Sequence, residues 1–369
     1  MKSSAESTTN GIDDSFAKNF DSAAGTASAD LRLALAALRT EARRLHLLAD
    51  SVAEAVTGPD GLFTPGSDAF ADIAARTVPR WHFAMLNDRE RNDALVVALE
   101  RRIPPGAYVL DIGTGTGLLA MAAIRAGAGR VVTCEENPLI AEIARQVIAE
   151  HDMSDVITVV NKRSTELQVG RELDRRVDVV VSEIVDCGLI GEGLLPTMRH
   201  TREHLLEPGG IMLPERARLY GQLLQSEIGI NLNRVDKAAG FDVSVMNVAA
   251  TRGHFPLRLW TWPHEVLSEP TELLAFDLVN GPTEPGSRSL SLPSTADGVA
   301  HALAAWFELD LGAGVVLRNS PENVGSHWMQ ALIPFDEPLP VKAGSRLDIE
   351  LSWTDYRLTA TPAKEGWSR

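Results

Sequence analysis

Cysteine is nearly absent: Cys134 and Cys187 are the two in 369 residues. Two cysteines make no disulfide framework and no spacing of metal ligands, so no metal is expected. No run of eighteen apolar residues occurs, which excludes a hydropathy-coded membrane helix. The first residues, MKSSAESTTNGIDDSF, lack the apolar core of a secretory signal. These absences together predict a reducing, cytoplasmic setting with no membrane partner. Positive charge is scarce too, with 35 Lys and Arg against 50 Asp and Glu, a formal net charge of -15. Nucleic acid is therefore not expected as a partner, because backbone phosphates call for clustered cations. An acidic surface is compatible with steering a cationic substrate. Arginine far outnumbers lysine and alanine is abundant, which points to a GC-rich bacterial genome.

What is present is the composition of an ordinary globular protein, 44% hydrophobic and 23% charged. The length exceeds what one core usually holds, so two folded units are expected. Residues 1–28 are poor in apolar side chains and are expected to be disordered. From Asp30 onward, Leu31, Leu33, Leu35, Leu38, Leu45, Leu47 and Leu48 recur at helical spacing. Such a helix covers either its own chain or a partner. Gly58, Pro59, Gly61, Pro65 and Gly66 mark a loop, and a second helical stretch over 70–101 is interrupted at Pro79.

Strand and helix then alternate. AYVLDIG, RVVTCE, VITVVN and VDVVVSEI read as strands, with LLAMAAIRAG and PLIAEIARQVIAEH as helices between them. HTREHLLEPGGIMLPE supplies a helix, a Pro-Gly-Gly turn and a further strand. This is the pattern of a parallel sheet covered on both faces. Beyond Pro214 the period changes. RARLYGQLLQS, PLRLWTWP, ELLAFDLV, ALAAWFELDL, WMQALIPF and SRLDIELSW read as half-buried antiparallel strands of a sandwich or barrel. The expected division is a helical segment over 29–79, an α/β domain over 80–214 and a β-barrel domain over 215–369.

Asp111 to Gly117 reads DIGTGTG between a strand and a helix. Its glycines allow a tight turn and close backbone approach to a ligand at a helix N-terminus. The dinucleotide fingerprint G-x-G-x-x-G is not met, because Leu118 stands where its third glycine belongs. G-x-G-x-G after an acidic residue is instead common in enzymes that use S-adenosylmethionine. The next strand ends in Glu135, placed where a carboxylate can take two ribose hydroxyls. A structural glycine turn beside an exposed glutamate is the competing reading.

The fourth strand runs into SEIVDCGLIGEGLL, with Glu183 at its C-terminal end and Glu192 beyond a loop. Ligands of open α/β sheets sit outside the carboxyl ends of the strands. Two carboxylates there can hold a planar guanidinium, or they can be two solvated loop residues; spacing leaves both open. Cys187 reads as a packing residue and Asp186 as a solvated loop residue.

These segments resemble the protein arginine methyltransferase family. The resemblance rests on the double-glutamate loop of Glu183 and Glu192, on HFAMLNDRER with His82, Met85, Leu86, Asp88 and Arg91, and on Ser326, His327 and Trp328 in GSHWMQ. VLDIGTGTGLLAM, NKRSTE and LIGEGLLP are closest to the monomethylating, type III branch. The likeness covers roughly residues 80–369. It implies a Rossmann-like methyltransferase domain followed by a β-barrel, with S-adenosylmethionine as methyl donor and S-adenosylhomocysteine as product. It also implies that His82 and Arg91 lie at the cofactor's amino-acid end, Arg91 pairing its carboxylate. Asp111, Gly113 and Gly115 would form the methionine-side wall, and Glu135 would bind ribose. Ser164, Thr165 and Glu166 would lie beside adenine. Glu183 and Glu192 would grip the guanidinium, His327 would orient Glu183 or help proton release, and Trp328 and Met85 would bind substrate.

Two departures matter. The family's tyrosine segment is missing, since residues 72–76 are Asp, Ile, Ala, Ala and Arg, and the leucine-rich helix has no family counterpart. A free L-arginine or small guanidine acceptor, as in natural product biosynthesis, follows from this more readily than an Arg/Gly-rich protein segment. A catalytically silent interaction module is a third reading, opposed by the retained Glu135, Glu183 and Glu192. A homodimer through an arm over 228–255 is also implied.

Overall fold

The computed structural model describes residues 29–57 and 68–363. The expectation of disorder over 1–28 and the loop glycines and prolines from Gly58 to Gly66 lie outside the described residues. Two compact units are separated at Pro79. In the first, Ala29–Thr57 forms one long helix, α1, and Asp68–Thr77 a second, α2. Asp30 sits in the first turn of α1, where its charge complements the helix dipole. Leu31, Leu33, Leu38, Leu45 and Leu47 of α1 are exposed.

The second unit opens with α3 (Trp81–Asn87) and α4 (Arg89–Arg102). The helical stretch expected through 101 breaks not only at Pro79 but again at Asp88. That residue is extended (φ -77°, ψ 94°), and its side chain accepts from Arg91 N to cap α4. An Asp three residues before a helical N–H competes for the backbone in this way, and no proline is needed for the break.

The strands β1 (Tyr108–Ile112), β2 (Arg130–Cys134), β3 (Ile157–Val160), β4 (Val177–Ser182) and β5 (Leu206–Leu213) form one parallel sheet. Its order is β3-β2-β1-β4-β5. All five residues of β1 are buried, as expected of a central strand covered on both faces. Between strands lie α5 (Leu118–Arg125), α6 (Pro138–Glu150) and α7 (Leu194–His200). The chain steps outward from β1 to β3 and then returns beside β1 as β4. That reversal opens a crevice at the carboxyl ends of β1 and β4, the natural ligand site of such a sheet. The expected Pro-Gly-Gly turn is instead taken into β5, and the β4–β5 register shifts between Val177 and Val179.

β6 begins at Arg216, three residues after β5 ends, and the remaining strands are antiparallel. They are β6 (Arg216–Gln225), β7 (Lys237–Ala238), β8 (Phe241–Asp242), β9 (Phe255–Leu257), β10 (Glu265–Val266), β11 (Thr271–Asp277), β12 (Gly286–Pro293), β13 (Gly298–Asp310), β14 (Val316–Arg318), β15 (Gln330–Val341), β16 (Arg346–Trp353) and β17 (Leu358–Pro362). β10, β6, β13, β15 and β9 run side by side, with β11 on β6 and β14 on β13, while β12, β16 and β17 make a second sheet. The result is a barrel-like domain whose inner face carries Leu219, Leu303, Phe307, Ile333 and Leu351, all fully buried. PLRLWTWP is not the strand its alternation suggests. Pairing stops at Leu257, and Leu259–Thr261 turns as a short 3-10 helix because Leu259 N donates to the Gln330 side chain. The serine-rich β12 carries too few apolar residues to read as a strand.

Candidate active site

The loop after β1 is shaped by its glycines. Gly113 has φ +87°, and a Cβ there would stand 2.8 Å from Ile184 Cγ2, so only glycine fits. Gly115 has φ +52°, yet a Cβ there would meet nothing within 4 Å. Its backbone therefore faces open space at the mouth of the crevice. Gly113 N and Thr114 N donate to Cys134 O, both at 3.1 Å, locking the loop against the end of β2.

Glu135 follows that end. Its carboxylate accepts from Gly115 N at 3.3 Å and from Asn137 N at 2.9 Å, while Asn137 caps α6 by accepting from Leu139 N and Ile140 N. Asp111 lies beneath the loop, fully buried. It accepts from Thr133 Oγ1 at 2.8 Å, which shares a 2.6 Å contact with Thr114 Oγ1. Its Oδ1 makes no hydrogen bond of normal geometry. Burial pushes this carboxyl up to about 7, with the Thr133 hydrogen bond opposing. A glycine backbone facing open space and a carboxylate fixed beside it together fit a polar, hydroxyl-bearing ligand such as S-adenosylmethionine. Ser164, Thr165 and Glu166 form a 3-10 turn after β3. Ser164 is buried, Thr165 and Glu166 are exposed, and Glu166 accepts from Arg163 N at 3.1 Å.

On the other side of the crevice, Glu183 leaves the end of β4 into a buried ion pair with Arg91. Arg91 Nε donates to Glu183 Oε2 at 2.7 Å and Nη2 donates to the same oxygen. Arg91 Nη1 goes to Asn92 Oδ1 at 2.7 Å. Burial still raises the Glu183 pKa, the Arg91 charge opposing it. Glu192 is exposed, yet protein partly surrounds its carboxyl. That enclosure, with the negative charges of Glu183 and Asp186, pushes it up to about 8. Among the described residues nothing donates a hydrogen bond to its carboxylate. A second acidic group held near a first, and left without a donor, is a receptor for a cation.

His327 does not touch Glu183 as expected. Its backbone N and ring Nδ1 both go to Asp88 Oδ2, each at 2.9 Å. A carboxylate partner places the proton on Nδ1 and leaves Nε2 as an acceptor. Burial lowers the His327 pKa despite Asp88, so the ring is neutral near pH 7. Burial works to raise Asp88, but the His327 and Arg91 hydrogen bonds outweigh it and the net shift is downward. Trp328 donates through Nε1 to Val185 O at 3.1 Å and packs edge-on to Phe307. Asn319 donates to Cys187 O and Met329 O, tying the two loops together from the barrel side.

Asp186 is not the solvated loop residue its position suggests. It accepts from Gly191 N at 2.8 Å and Gly188 N at 3.2 Å, and faces His254 Nε2 at 2.6 Å. His254 Nδ1 in turn accepts from Leu358 N at 3.1 Å. Asp186, Cys187 and His254 thus bring three potential metal-ligand atoms within 4.8 Å of one another, but each is engaged in a hydrogen bond, Cys187 Sγ with Asp186 at 3.8 Å. Their arrangement is a clasp that folds the loop between Glu183 and Glu192 and leaves the two carboxyls near enough to influence each other. Burial raises the Cys187 thiol well above its usual pKa, which fits a packing residue.

Arg91, Glu183, Glu192, His327 and Trp328 are thus brought together, as are Asp111, Gly113, Gly115 and Glu135. His82 stacks on Trp81 at 3.8 Å, and Met85 is half-buried on a helix with no buried residue. Sequence reasoning gave no role to Thr133, Asn137 or His254. Asn137 before Pro138 is a helix-start signal that could have been read; the other two become visible only in three dimensions.

A five-stranded parallel sheet in this order, with a glycine loop after β1 and a carboxylate after β2, fits the class of S-adenosylmethionine-dependent methyltransferases. The barrel narrows the class. A family model described as the arginine methyltransferase oligomerization subdomain matches residues 215–358, and one described as ribosomal protein L11 methyltransferase (PrmA) matches residues 94–212. The chain is 60% identical over 327 residues to an arginine N(omega)-methyltransferase of Streptomyces achromogenes subsp. streptozoticus, covering 89% of this chain and 91% of the relative. It is 35% identical over 277 residues to protein arginine N-methyltransferase 1.6 of Arabidopsis thaliana, covering 67% of this chain and 38% of the relative. Protein arginine N-methyltransferase 7 of Drosophila erecta is 30% identical over 319 residues, with 74% and 46% covered. The chain therefore spans less than half the length of these last two relatives. Among solved structures, the Trypanosoma brucei PRMT1 enzyme-prozyme heterotetrameric complex with AdoHcy superposes with a TM-score of 0.64 at 26% identity, over 73% of this chain and 86% of that one. Arabidopsis thaliana protein arginine methyltransferase 10, TM-score 0.59 at 22% identity, over 73% and 86%, shares the fold. The chain belongs to the arginine methyltransferase family.

Proposed function

We propose that this enzyme transfers a methyl group to the guanidinium of free L-arginine or a small guanidine, in the cytoplasm of a bacterium and for specialised metabolism. The observation that carries the arginine half is Glu192, a carboxylate without a donor among the described residues and near a second one that is already oriented. The free-acceptor half is supported by the relative at 60% identity, whose name specifies arginine without a protein and of which this chain covers 91%.

S-adenosylmethionine, when bound, supplies a methyl group already activated on a sulfonium. Glu135 takes the ribose hydroxyls, and the Gly113 and Gly115 backbone approaches the methionine part with Asp111 beneath. His82 and Arg91 serve the amino-acid end, and Ser164, Thr165 and Glu166 lie toward adenine. Arg91 holds Glu183 by one oxygen and leaves its orientation fixed before substrate enters. Glu183 and Glu192 then bind the guanidinium plane and draw its positive charge away from the attacking nitrogen, a preorganised electrostatic contribution. Methylation releases one proton from that nitrogen, and neutral His327, with Nδ1 bonded to Asp88, offers Nε2 to receive it. Trp328 and Met85 bound the pocket.

We take residues 80–214 as the cofactor domain and 215–369 as the barrel, with 228–255 as an arm for a homodimer. Phe241, Val245, Met246 and Val248 are exposed along that arm, an apolar surface suited to a second copy. The double substitution Phe241→Asp and Met246→Asp is expected to halve the mass seen by solution scattering; an unchanged mass discards the arm. For the acceptor, radiolabelled cofactor with either free L-arginine or an Arg-Gly peptide decides. Label is expected in the amino acid, and preference for the peptide overturns the reading.

A further inference from the structure

An acceptor that is a free amino acid brings an α-carboxylate, six bonds and about 7 Å from the guanidinium carbon when extended. Its anchor belongs on the wall next to the glutamates, and should be a cation without a carboxylate of its own. Arg258 is the candidate: it lies beside His327, whose loop neighbours the glutamates. It follows β9, which pairs with β15 immediately after the His327–Trp328 loop, with Leu257 opposite Gln330. The next residue is tied to the same place, since Leu259 N donates to Gln330 Oε1 at 3.3 Å. The Arg258 backbone is thus held beside the loop that carries His327.

Its side chain is half-buried. Nη2 donates to the His327 carbonyl at 3.4 Å, and the guanidinium lies 5.7 Å over the Trp260 ring, which sets its plane. In a chain of net charge -15, Arg91, Arg199 and Arg218 all have carboxylate partners. Among the described residues Arg258 has none, as is also true of Arg101, Arg176 and Arg202, and its place beside His327 is what singles it out. Its charge reaches the pocket, because it is one of the influences that hold the His327 pKa down.

We infer that Arg258 binds the α-carboxylate of the acceptor, so that the glutamate pair and this guanidinium grip opposite ends of one zwitterion. The inference rests on the free-arginine reading above. It also supplies the selectivity: a cationic Arg/Gly-rich segment brings no carboxylate to this point and is repelled by a fixed positive charge.

Agmatine, which is arginine without its carboxylate, is the probe. The expected wild-type preference is for L-arginine over agmatine. Arg258→Gln should lower kcat/KM for L-arginine roughly ten- to hundredfold, about 1.4–2.7 kcal/mol. Agmatine turnover should stay level or rise, because repulsion of its ammonium is relieved, and the KM for the cofactor should stay near wild type. Arg258→Lys should recover part of the loss, keeping the charge without the fork. A variant that falls equally on both acceptors, or that keeps the wild-type preference, overturns the assignment. Wild type that labels an Arg-Gly peptide but not free L-arginine refutes the underlying reading instead, whatever the variants do.

Discussion

The two halves of the crevice are built differently. On the cofactor side, Asp111, Gly113, Gly115 and Glu135 span 25 residues and two adjacent strands, and backbone groups make most of the contacts. On the proposed acceptor side, Arg91, Glu183, Glu192, Arg258 and His327 come from separated parts of the chain, and side chains make most of the contacts. The first half is a cradle held largely by backbone hydrogen bonds. The second gathers charged groups, of which Glu183, Glu192 and His327 have surroundings that work against their ionisation. Backbone cradles bind; a carboxylate such as Glu192, left without a donor among the described residues until a cation enters, can both bind and select.

The sharpest way to break this contrast is to remove one carboxylate of the acceptor half. Glu192→Gln should cut turnover by about 10²–10³, the scale of losing one preorganised electrostatic group, while cofactor affinity stays near wild type. Near-normal turnover would show that the pair is not the clamp. The same residue predicts a pH effect. With its carboxyl pushed up to about 8, Glu192 is mostly protonated in the free enzyme at pH 7. Guanidinium binding favours the ionised form, so arginine binding should release a proton at pH 7. Affinity should therefore rise with pH and flatten above about 8. Calorimetry in buffers of different ionisation enthalpy reads that proton, and Glu192→Gln should abolish it.

The same contrast explains what was legible in the sequence. The cradle is a string of neighbouring residues, so strand, turn and helix signals fall in reading order and fix Asp111 to Glu135 without tertiary information. The alternation of apolar runs likewise exposes the parallel sheet, because strands buried on both faces need little beyond hydrophobicity. The acceptor half depends on separations of up to 239 residues, as between Asp88 and His327, and no local pattern encodes them. Asp88 reads as part of a helix until its backbone is seen to be extended. Asp186 reads as a loop acid until His254 and two backbone N–H groups are seen around it. The resemblance to a family supplied Glu183, Glu192 and His327; it did not supply the clasp or the bond from His327 to Asp88.

The smaller effect sharpens the comparison from the cofactor side. Glu135 accepts from Gly115 N and Asn137 N while presenting its carboxylate to the crevice. Glu135→Gln keeps the shape and one acceptor oxygen but removes the charge, weakening hydrogen bonds to hydroxyls by roughly half. The expected result is a rise in the cofactor Kd of about tenfold, with kcat at saturating cofactor nearly unchanged. Binding is lost uniformly in ground and transition states when the lost contact is remote from the reacting carbon. Isothermal titration and initial rates separate the two quantities. A variant that binds cofactor normally but turns over slowly would place Glu135 in the chemistry, and the division between a binding half and a selecting half would fail there.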